Sequence, residues 1–169
     1  MKTLIFVLLF ICQSVYANPT VFGLTIGETT IEQLKSKYSV SHQGINKYSQ
    51  GDMYQIPRNQ IQFEGINDVT VIFSRSNKLI AVLAELPKSK FDYLNGTLGK
   101  KYQLVNQKLP FVGNKSAAYR DGETEITLEA PHMSFQLSMN YIHSDFLKAF
   151  NTQSEKEKKK KQQQESSML

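Results

Sequence analysis

The stretch AAYRDGETEITLEA, residues 117–130, carries the fold in miniature. Asp121-Gly122 is a strong signal for a tight hairpin of type I′. After it, Ile126 and Leu128 face one way while Glu125, Thr127 and Glu129 face the other. Side chains alternate along a strand, so this segment has one apolar and one wet side. Such strands build antiparallel sheets with one solvated face. The same alternation recurs on both sides. Val69, Val71 and Phe73 alternate with Thr70, Ile72 and Ser74, and Ser76-Asn77 predicts a turn into residues 78–86. Phe135, Leu137, Met139 and Tyr141 alternate with Ser134, Gln136, Ser138 and Asn140.

Helical spacing appears in three places. Thr29 with Glu32 reads as a capping box, after which Ile31, Leu34 and Tyr38 share a face. Ser89 with Asp92 is a weaker cap for Phe91, Leu94, Leu98 and Tyr102. Gly96 and Gly99 weaken that helix by about 1 kcal/mol each relative to alanine. Ser144 is expected to cap a last helix carrying Phe146, Leu147 and Phe150. The predicted helices therefore lie near 30–38, 88–102 and 145–155. Leu34-Lys35-Ser36-Lys37-Tyr38 echoes Leu98-Gly99-Lys100-Lys101-Tyr102, and a tyrosine-bearing segment (Tyr54, Tyr119) follows each. The expectation is an α+β fold with helices packed on one face of an antiparallel sheet, built from a duplicated unit over 23–86 and 88–143.

Outside that domain, at 18–150, the ends have their own character. Residues 1–17, MKTLIFVLLFICQSVYA, have the three parts of an export signal: Lys2, an apolar run from Leu4 to Cys12, and small residues at Val15 and Ala17. The run is shorter than the about 20 residues a membrane span needs. Phe10 and Ile11 precede Cys12, which argues against lipid attachment there. Removal of the signal would leave a cysteine-free mature chain, with no disulfide, thiol catalysis or cysteine-ligated zinc. The expected location is the periplasm or the exterior, with no stable membrane insertion. Residues 151–169 form a low-complexity Lys/Gln/Glu tail with no apolar residue before Met168. It has nothing to bury, and is expected to be solvated or to extend the last helix into solvent.

Charge narrows the partners. The domain holds 14 basic and 12 acidic residues, an ordinary surface rather than a nucleic-acid footprint. The tail adds a net +2, too little to anchor the chain on an anionic membrane at about 1 kcal/mol per basic residue.

Catalytic patterns are sparse. His42, His132 and His143 make no close ligand pair, and a metal site needs three or four converging ligands. No GxSxG or SxxK occurs. Glu123, Glu125 and Glu129 fall on a polar strand side, whereas glycoside chemistry needs two carboxyls facing across a cleft. No cofactor is expected. Two loops stand out by mixing aromatic, glycine and amide residues: Asn46 to Tyr54 and Leu109 to Lys115. Tyr48, Asp52, Tyr54, Phe111 and Asn114 are the candidate partner-binding residues, because aromatic anchors dominate interface energetics.

Phe22-Gly23-Leu24-Thr25-Ile26-Gly27 with Thr29 to Leu34, together with Leu109 to Lys115 and Phe135 to Tyr141, resembles a family of small periplasmic or secreted Gram-negative proteins. The resemblance covers most of the chain after the signal. It is similar, in architecture alone, to β-lactamase-inhibitor-like domains and to the small lipoprotein of the outer-membrane assembly machine, whose attachment cysteine has no counterpart here. These are binding modules, and the resemblance supplies no catalytic residue. The functional expectation is a non-catalytic binding or accessory protein of the bacterial envelope, its partner an envelope protein or polymer. An inhibitor of an extracellular hydrolase, or an envelope-polymer hydrolase using Asp121 or Glu123 as acid, are the alternatives.

Overall fold

The computed structural model describes residues 18–168. The expected export signal, residues 1–17, lies outside them, and so does Cys12. The expectation of a cysteine-free chain is corrected by the sequence itself: the 169-residue chain carries one cysteine. That expectation rested on cleavage after Ala17 and not on the chain as it stands.

The fold is α+β. A short hairpin of β1 (Thr20–Val21) and β2 (Leu24–Thr25) leads into α1 (Ile31–Lys37). Four strands follow: β3 (Ser41–Ile45), β4 (Gln50–Gln55), β5 (Asp68–Ser74) and β6 (Leu79–Pro87). Then α2 (Phe91–Lys101) opens a second run of β7 (Gln103–Lys108), β8 (Lys115–Asp121), β9 (Thr124–Ala130) and β10 (Gln136–His143). α3 (Ser144–Ser166) comes last. Strands β3 to β10 form one antiparallel sheet in the order β3-β4-β5-β6-β10-β9-β8-β7. Each run of four is a meander, and the two meet along their last strands, where Leu83 faces Asn140 and Ala81 faces Ile142. The first strand of each run, β3 or β7, is therefore an edge.

The echoed pentapeptides are the stops of the first two helices. Tyr38 N–H donates to Leu34 O and Tyr102 N–H to Leu98 O, each at 2.9 Å, with both tyrosines already extended. Leu34 and Leu98 are buried, and lysines fill each last turn, where the helix dipole favours cations.

The caps differ from expectation. Thr30, not Thr29, caps α1: its hydroxyl accepts from Gln33 N–H, and the Gln33 side chain accepts from Thr30 N–H at 2.8 Å. Thr29 is buried and accepts from Thr25 N–H instead. α2 has no side-chain cap. Pro87 starts a 3-10 turn over Lys88–Lys90, so Ser89 never takes the extended backbone a cap requires. At α3 the cap is His143, whose Nδ1 accepts from Asp145 N–H, while the Ser144 hydroxyl donates to Glu123 Oε2 at 2.6 Å.

The hairpin between β8 and β9 is tight, as expected, but shifted by one residue. Asp121 pairs with Thr124, leaving Gly122-Glu123 as the loop. Gly122 has φ 52° and Glu123 is not at positive φ. Glycine at the first central position is the type II′ arrangement; type I′ needs positive φ at both.

α1 and α2 cover one face of the sheet. Ile31, Leu34, Phe91, Leu94 and Leu98 pack with Val71, Phe73, Leu86, Ile126, Leu128 and Leu137 in one continuous core. α3 lies on the other face, where Phe146 packs on Ile72, Ile80 and Ala81. Ile80 is the extra residue of a bulge between the Ile72–Ala81 and Phe73–Leu79 pairs. It adds to an apolar spot on an otherwise polar side, and α3 covers that spot. Beyond Phe150 the helix runs on to Ser166, largely exposed.

Candidate functional site

The two aromatic-glycine loops lie at opposite edges of the sheet, and the strand directions put them at opposite ends. They do not form one site.

The first loop is used within the chain. Asn46 Oδ1 accepts from the N–H groups of Tyr48 and Ser49 at 2.9 and 3.0 Å, which makes 46–49 the turn. Gly51 lies inside β4 against β5, where a Cβ would collide with the Phe73 and Ser74 carbonyls. Tyr54 is only 6% exposed and packs edge-on against Phe73, with ring centroids 6.0 Å apart. Asp52 Oδ1 is 2.7 Å from His42 Nε2. Tyr48 packs on Phe150 at 4.8 Å between ring centroids. Lys47 Nζ lies 4.6 Å over the Tyr48 ring and pairs with Glu157 at 3.3 Å. Tyr48 and then Glu157 raise the Lys47 pKa; Gln153 and then Lys47 lower that of Glu157. α3 therefore occupies the aromatic side of this loop. Beside it is an open cleft of about 500 Å³ lined by Tyr48, Arg75, Lys78, His143 and Phe146.

The second loop is different. Phe111 is 104% exposed, Val112 67% and Leu109 48%. The turn between β9 and β10, residues 131–135, lies at the same end of the sheet, since Lys115 pairs with Ala130 and Lys108 with Ser116. It presents Met133 and Phe135, 91% and 95% exposed. Phe135 was expected to continue the buried side of the last strand. The strand instead begins at Gln136, and Leu137, Met139 and Tyr141 hold the core positions.

This apolar corner is held by polar supports. Asn114 Oδ1 accepts from His132 N–H at 2.7 Å and joins the two turns. Lys88 Nζ donates to the carbonyls of Pro131 and His132 at 2.6 and 3.0 Å, and Lys88 N–H donates to Phe135 O at 2.8 Å. Gly113, with φ 128°, turns the chain back toward Asn114. Single exposed apolar residues are ordinary, and these five fall on two turns at one end of the sheet. Local periodicity does not mark Met133 and Phe135 as exposed. A usable signal was there: apolar residues beside Pro110 and Pro131, in stretches (93–120 and 130–144) that contain no acidic residue.

The remaining chemistry is dispersed. Among the described residues no three His, Cys, Asp or Glu side chains are placed to share a metal ion. His132 and His143 lie at opposite ends of β10. Glu123 is held by Ser144, and Glu125 lies 3.9 Å from Arg120. Among the described residues no helix is long and apolar enough to cross a membrane. Comparison of the chain with protein-family models, with curated proteins and with solved structures gives no match.

Proposed function

We propose that the protein is an exported, non-catalytic accessory protein of the bacterial envelope that binds through the corner made by turns 109–115 and 131–135. One observation carries this reading: five exposed apolar side chains, two of them phenylalanines, stand at one end of the sheet on two turns joined by the Asn114–His132 bond, with Lys88 bracing the second turn. Ordering entropy opposes any docking by flexible loops. Here the second turn is already held by Lys88 and Asn114, so burial of Met133 and Phe135 is offset by little further ordering. The signal-like residues 1–17 support export. The hydrolase alternative has less support: Glu123 and Glu125 share a small cleft, but Glu123 is engaged by Ser144 and Glu125 lies 3.9 Å from Arg120.

The test is fractionation. Exported wild-type chain should start at Asn18 by N-terminal sequencing and should sediment with envelope material. The Phe111→Ala/Phe135→Ala variant should move to the unbound fraction while keeping its circular dichroism. An intact Met1, or equal sedimentation of both chains, would refute the proposal. So would turnover of a wall polymer that Glu123→Gln abolishes.

A further inference from the structure

The partner of the corner can be argued from its shape and charge, on the reading that the corner is the binding site. We infer that it docks on the interface of an anionic lipid bilayer, with Phe111, Val112, Met133 and Phe135 entering the headgroup region and Lys108 and Lys115 meeting the lipid charge.

Shape comes first. The two phenylalanines stand out from turns, one fully and the other almost fully exposed. A protein partner would need a matching pocket for each ring. A bilayer interface accepts a protruding apolar tip without one, to a depth of about 5–10 Å. Both turns lie at one end of one sheet, two strand spacings apart, or about 10 Å, so both reach a single plane.

Charge points the same way. Lys88, Lys108 and Lys115 are basic residues at this end of the strands, with Asp92 and Glu129 among the acidic ones, whereas Lys100, Lys101 and Arg120 lie at the far end. Lys108 ends β7 and Lys115 begins β8, on either side of the Phe111 turn. Lys108 is exposed; Lys115 is half-buried, with its Nζ 3.3 Å from Asp92. Apolar tips backed by lysines match a surface with a hydrocarbon interior and anionic headgroups. The attachment is peripheral, since no described helix is a membrane span.

The chain contains no tryptophan, so Phe111→Trp places a single reporter at the tip. Ile45→Trp, at the far edge of the sheet and itself exposed, is the control. The chain as exported is titrated with vesicles of phosphatidylglycerol and phosphatidylethanolamine, and separately with phosphatidylcholine vesicles. The expected result is a blue shift of the Phe111→Trp emission with the anionic vesicles and none for Ile45→Trp. Adding Phe135→Ala should raise the lipid concentration needed by about tenfold, the scale of one buried apolar side chain. Adding Lys108→Ala should raise it about fivefold, and salt should weaken binding throughout. No shift with either vesicle overturns the inference. A shift with lipid-free envelope protein extract but not with vesicles also overturns it, and leaves the corner as a protein-binding site. A shift that grows with protein concentration alone assigns the corner to self-association and overturns it as well. Failure of the reading beneath is distinct: wild type and Phe111→Ala/Phe135→Ala would then fractionate alike.

Discussion

Asn114 Oδ1 accepts the backbone N–H of His132 at 2.7 Å, a single bond that joins two turns 18 residues apart in sequence. Because His132 directly follows Pro131 and lies three residues before Phe135, this bond fixes the turn that carries Met133 and Phe135. Asn114→Ala should cost about 1 kcal/mol of stability, the usual net value of such a bond. It should also speed exchange of the His132 amide, read by hydrogen–deuterium exchange. Asn114→Asp keeps the acceptor and should restore slow exchange. Unchanged exchange in Asn114→Ala would mean that the turns hold their geometry without the bond.

Two glycines should respond with opposite sign. At Gly51 a Cβ meets the Phe73 and Ser74 carbonyls, so Gly51→Ala should destabilise by about 2–3 kcal/mol, as overpacking does. At Gly96, inside α2, a Cβ meets nothing within 4 Å. Gly96→Ala should therefore stabilise by about 0.5–1 kcal/mol through helix propensity. Urea midpoints of the two variants check both signs.

Deleting residues 154–169 should leave stability nearly unchanged. The deleted part of α3 is largely exposed, and its ion pair to the body, Glu157 with Lys47, is itself exposed. Exposed pairs contribute about 0–1 kcal/mol. Helical circular dichroism should fall while the thermal midpoint moves little. Phe150→Ala, which uncovers Tyr48, should lower the midpoint more than the deletion does.

Stability should also fall at high pH, with Tyr141 the main cause. Burial pushes its phenol well above the ordinary value of 10, helped by Tyr102, whose ring is 6.2 Å away. Burial raises the phenols of Tyr102 and Tyr119 as well. In the unfolded chain these groups ionise near pH 10, whereas in the folded chain they ionise at higher pH. Stability is thus fully present below pH 10 and is lost as pH rises above it. Urea midpoints at pH 8, 10 and 11 should fall in that order, and Tyr141→Phe should flatten the fall.

Local features of the sequence carried much of the architecture. The alternation around Asp121-Gly122, the periodic leucines at 34 and 98, and the echoed pentapeptides all correspond to backbone hydrogen bonds within a few residues. The sheet order was not legible, because the β6–β10 pairing joins Leu83 to Asn140 across the whole second helix-strand run. Exposure of the loop aromatics was not legible either. Tyr48, Tyr54 and Phe111 look alike in sequence. One is covered by α3, one is in the core, and one is fully exposed. Phe135 looked like a strand residue because it continues the period of Leu137, Met139 and Tyr141. The hydrogen bond from Lys88 to its carbonyl, just before the strand begins, is a long-range contact that periodicity does not reveal.

The central claim is where the molecule binds. Hydrogen–deuterium exchange of the exported chain, with and without isolated envelope vesicles, tests it most directly. Residues 109–115 and 131–135 should gain protection together, while 46–54 and 151–168 stay as they are. Protection confined to the first loop or to the α3 tail, with the corner unchanged, would contradict the account.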